Sequence, residues 1–112
     1  MANAQLKVVV EDDGYVVEVP ASIMTEGGSF FETMDRDMDR GWQMGRQWVD
    51  VLDTTQRCQV AAGRLADAIN TENRTLLQLM AGYILTRMPG VHEIHVDSGG
   101  DLMETEFLFE TA

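Results

Sequence analysis

Glu93, His95 and Asp97 stand at alternate positions near the end of the sequence. On an extended strand that spacing puts three side chains on one face. An imidazole among carboxylates is a ligand set for zinc, manganese or iron. Glu104 and Glu106 fall on the segment expected to pair with this strand and would add acids opposite. A solvent-facing sheet surface shows the same alternation, and parallel side chains on one face do not enclose an ion. Metal or small-ligand binding through Glu93, His95 and Asp97 is therefore an alternative reading, and no metal or cofactor is assigned. His92 opens the same strand and reads as a half-buried structural histidine. A small enzyme would need His92 or His95 beside a desolvated carboxylate. It stands as the second alternative, since nothing in the spacing selects it.

Cys58 lies among alanines on an apolar helix face, where burial makes a thiol inert. Met34 and Met38 are one helical turn apart. Thioethers are soft ligands for copper(I), but methionine is also a routine filler of cores and adaptable interfaces. Gly41 and Gly45, flanked by Trp42 and Trp48, form the other notable arrangement. On a helix, two glycines four apart admit a second backbone, and indoles fill the sides. Met38, Gly41, Trp42, Gly45 and Trp48 are accordingly the candidate interaction residues. The sequence has no phosphate-binding glycine loop with its Lys-Ser/Thr, no G-x-S-x-G, no H-E-x-x-H and no C-x-x-C.

The chain that must position these residues has 112 of them, a length that favours one domain over 1–112. Nineteen acids face eight bases, for a net charge of −11. Phosphate binding needs clustered Lys and Arg, so nucleic acid is not an expected partner, and neither is an anionic membrane. No apolar run approaches the ~18 residues of a membrane span. The segment before Glu11 has neither a basic leader nor an apolar stretch of signal length. The lone cysteine fits a reducing compartment, so a cytoplasmic location is expected and Asn73–Arg74–Thr75 reads as a chance sequon.

Residues 6–10 and 15–19 alternate and are rich in valine, with Asp13–Gly14 between them as the turn of a β-hairpin. Pro20 ends the second strand, and Thr25–Gly28 reads as a loop. Ser29 and Glu32 form an S-x-x-E capping box. From there, at about 100° per residue, Phe30, Phe31, Met34, Met38, Gly41, Trp42, Gly45, Trp48, Val49 and Leu52 fall within an arc of roughly 120°. One helix over Ser29–Leu52 is predicted. Its ~24 residues would span about 36 Å, against a radius of gyration near 13 Å for a compact chain of this size. Such a helix overhangs its core, and its exposed stripe asks for cover.

Asp53 and Gln56 cap a second helix whose apolar face is Cys58, Ala62, Leu65, Ala66 and Ile69. A third, from Leu76 to Met88, is apolar all round and so buried all round. Pro89–Gly90 terminates it. A closing hairpin is expected from strand Val91–Asp97, turn Ser98–Asp101 and strand Leu102–Glu110. His92, Ile94 and Val96 would share one face, opposite Met103, Thr105, Phe107 and Phe109. The order ββ-ααα-ββ predicts an α+β fold: a four-stranded antiparallel sheet from the two hairpins, with three helices on one face. The functional expectation is a small non-enzymatic protein acting through protein–protein contact, as a homodimer or on another protein.

Overall fold

A computed structural model describes residues 3–97 and 101–109. Strands β1 (Ala4–Val10) and β2 (Asp13–Val19) form the N-terminal hairpin. Val10 pairs with Asp13 and Val9 with Gly14, so the turn is Glu11–Asp12 and the Asp-Gly pair belongs to β2. Glu11 takes the left-handed conformation that this tight turn demands, with φ 57°. Pro20 follows β2 and opens helix α1 (Ala21–Glu26), and α2 (Gly28–Met38) follows directly, so most of the loop expected at Thr25–Gly28 is helical. Ser29 therefore lies inside a helix, and no side chain caps the start of α2.

The predicted helix over Ser29–Leu52 does not exist as one element. Helix α2 stops at Met38, and the chain turns through Gly41 at φ 92°. It then forms a small hairpin of β3 (Trp42–Met44) and β4 (Gln47–Val49) around Gly45, at φ 74°. Both glycines occupy the left-handed region, where a helix cannot continue and side chains are disfavoured. Gly41 acts as a helix stop, and Gly45 is the first central residue of a two-residue hairpin loop. The apolar positions keep helical phase across this region only because strand, turn and strand place them at compatible intervals.

Helix α3 (Thr54–Asn70) begins as expected. The Asp53 side chain accepts from the Gln56 amide at 2.8 Å, and the Gln56 side-chain oxygen accepts from the Asp53 amide at 3.0 Å. Helix α4 (Arg74–Arg87) buries Met80 through Ile84, while Leu76, Leu77 and Leu79 are only half covered. Strand β5 (Val91–Val96) follows, then a 3-10 turn at Leu102–Glu104 and β6 (Glu106–Phe109). The closing strand is thus shorter than expected, and Met103 sits in the 3-10 turn. The expected turn residues Ser98–Gly100 and the strand end at Glu110 lie outside the described residues.

The main sheet has the order β2-β1-β5-β6 and is mixed, not antiparallel. Both hairpins are antiparallel, but β1 and β5 run parallel, Val8 beside Ile94 and Val10 beside Val96. Val19 ends β2 next to Ala4, at the start of β1. The helices carry the chain out and back to that same end of the sheet, so β5 must start where β1 starts. The fold is α+β, with four helices instead of three and a second, two-stranded sheet.

Leu6, Val8, Val17, Val19, Ile94 and Val96 form the buried sheet face, against α3 and α4. Lys7, Val16 and Glu18 on the opposite face are exposed. The radius of gyration is 13.2 Å, and no overhanging helix remains. No helix among the described residues is long and apolar enough to cross a membrane.

Candidate functional site

The candidate interaction residues divide between a helix end and the β3–β4 hairpin. Met38 is the last residue of α2 and is buried. Trp42 pairs with Val49 on the inner side of the hairpin, where both pack half-buried against the core, and Met44 is fully buried. Gln43 and Trp48 face outward as the opposite pair. Trp48 is 55% exposed, and the neighbouring Val51 is 82% exposed. Its indole N–H donates to Asp50 Oδ1 at 2.8 Å, and its Cε2 and Cζ2 atoms lie against Gly41. The glycines thus share no helical seam. What the hairpin and the residues just after it offer is one hydrogen-bonded indole and a valine in water.

The local charge differs from the rest of the molecule. Residues 35–50 hold four acids and three arginines, and Arg57, bonded to two of those acids, brings the count level. The remainder carries fifteen acids against four bases. The hairpin is therefore a neutral island on an anionic protein.

A polar network between α2, α3 and α4 has no counterpart among the residues singled out from the sequence. Tyr83 is fully buried on α4, and its hydroxyl donates to Asp35 Oδ1 at 2.5 Å. Arg87, one turn further on, donates to Oδ2 of the same carboxylate at 2.7 Å and lies 5.1 Å from the Tyr83 ring centre. Arg57, in the first turn of α3, donates to the Asp35 carbonyl at 2.9 Å, to Asp39 Oδ1 at 2.7 Å and to the Leu52 carbonyl at 3.2 Å. One carboxylate so joins α2 to both long helices. Its signal in the sequence is a tyrosine in an otherwise apolar helix, because a buried phenol needs a partner.

Burial alone would raise the Asp35 pKa, but the Tyr83 bond and the two guanidinium groups outweigh it and hold the carboxyl below its ordinary range. Burial, then the bond to Asp35, pushes the Tyr83 phenol up. Burial pushes the Cys58 thiol up to about 12. Each of these groups is moved away from neutrality, the opposite of what acid–base or thiolate catalysis requires. The shallow cleft over the Asp35 network, about 260 Å³, is lined by Asp35, Thr54, Arg57, Tyr83 and Arg87. Its charged groups already satisfy one another.

On the open sheet face, Glu93 sits between His95 Nε2 and the Lys7 ammonium, the latter at 3.7 Å. The histidine bond, aided by the lysine charge, lowers the Glu93 pKa. Asp97 lies beyond the end of β5, and its carboxylate accepts from the Asp101 amide at 3.2 Å. The strand brings Glu93 and His95 together but turns Asp97 to a different task. Among the described residues no three His, Cys, Asp or Glu side chains converge as a metal site. A β-bulge between Val91 and Glu93 buries Val91 and turns His92 out to solvent, contrary to the expected half-buried position.

Comparison with known proteins finds no matching family model, no similar curated protein and no similar solved structure.

Proposed function

We propose that this chain is a small non-enzymatic protein that acts through protein–protein contact, with the β3–β4 hairpin as contact element and a second copy as its partner. The exposed Trp48 carries the reading. Tryptophan is enriched where interfaces concentrate their binding energy, and here it is held in place before any partner arrives, which lowers the entropy cost of docking. Charge selects the second copy: two molecules of net charge −11 repel over most of their surfaces, and least where acids and arginines balance. Gly41, Gly45 and Met38 serve by shaping the hairpin and its anchor, Trp42 by packing its inner side. A reduced, cytoplasmic setting suits a protein whose one thiol is buried.

The test is solution mass by light scattering over a concentration series at moderate salt. A reversible rise from monomer toward dimer is expected. A strict monomer at the highest concentration reached would remove the homodimer.

A further inference from the structure

The two central strands run parallel, and the chain leaves their ends in opposite directions. After Val10 it turns back into β2 on one side of the pair, and after Val96 it proceeds to β6 on the other. Neighbouring parallel strands that part this way leave a notch at their carboxyl ends. Here the notch is a groove of about 400 Å³, at the lower end of the range for small-ligand sites. Val10 and Val96 form its floor, and α3 roofs it with Val60 and Ala66. Trp42 closes one wall, which gives its half-buried indole a surface to offer.

We propose that this notch binds a small organic cation with an apolar or aromatic body. The valine floor excludes water from one side of a ligand without supplying it a hydrogen bond, which favours an apolar body. The charges favour a positive head. Asp67 and Asp97 border the groove against one base, Arg64. The turn by which β1 leaves it is Glu11–Asp12, and on the other side Asp101 caps the 3-10 turn that precedes β6. An ammonium beside carboxylates and an aromatic ring gains from both. An anion would meet one arginine amid an acidic rim.

The test is an NMR titration of the full chain with benzyltrimethylammonium, with benzyl alcohol and benzoate as neutral and anionic counterparts. The cation is expected to give saturable shifts at the Trp42 indole N–H and the Asp67 amide, and the counterparts are not. Asp67→Asn should weaken binding roughly two- to fivefold. Arg64→Gln should tighten it, a gain that damage to the fold would not produce. Absence of saturable shifts, equal binding of benzoate or benzyl alcohol, or weaker binding by the Arg64→Gln variant would each overturn the proposal.

Discussion

The indole of Trp48 lies so close over Gly41 that a Cβ at position 41 would stand 2.8 Å from its Cζ2, and 2.8 Å from the Val49 carbonyl oxygen. Gly41→Ala therefore meets two obstacles, the ring and a φ of 92°. A loss of about 1–3 kcal/mol is expected, read by urea unfolding. The sign is diagnostic. Were residues 29–52 a single helix, the same substitution would stabilise it by about 1 kcal/mol and raise the helical circular dichroism.

That contrast shows what was legible in the sequence. Asp53 and Gln56 announce the start of α3 because a capping box is a local device, complete within four residues. Pro20 ends a strand and Pro89–Gly90 a helix for equally local reasons. Trp42, Trp48 and Val49 are different: their spacing satisfies a helical stripe and a strand-turn-strand alike. Only the backbone angles at Gly41 and Gly45 decide between them, and periodicity does not carry those. The parallel pairing of β1 and β5 was hidden for another reason. Hairpin signals fix strands that are neighbours in sequence, whereas Val8 meets Ile94 through the net path of four helices. His92 was misplaced by a bulge, which shifts facing by one residue. The Asp35 network joins residues up to 52 positions apart, and no spacing rule reaches that far.

Asp35→Asn removes the charge that Arg57 and Arg87 share. It is expected to cost about 2 kcal/mol at neutral pH, and Tyr83→Phe about 1 kcal/mol. The folded-state pKa of Asp35 is depressed below 3.8, so its contribution is present above that pH and is lost as pH falls through the folded value. Unfolding curves of wild type and Asp35→Asn should converge on acidification from pH 4 downward. Curves that stay equally separated at all pH values would show that the ionised carboxylate is not what ties α2 to α3 and α4.

Cys58 gives an alkaline counterpart. Its folded pKa is about 12 against 9.0 for a free thiol. A raised thiol pKa means the unfolded chain loses its proton first, so stability falls as pH rises above 9. In Cys58→Ala that slope should flatten between pH 9 and the pH at which the thiol itself ionises, and Tyr83 adds a further decline above its ordinary value near 10. A thiol-specific reagent should label the native protein only at the rate of unfolding. Fast labelling under native conditions would contradict the buried position.

The most direct measurement of the contact surface uses Trp42→Phe, which leaves Trp48 as the sole indole. Its emission and its quenching by acrylamide are followed from dilute to concentrated protein. The indole is expected to be solvent-like and readily quenched when dilute, then to show a blue shift and falling quenching as a second copy covers it. An indole that stays red-shifted and equally quenched at every concentration, while light scattering reports monomer, would contradict the account.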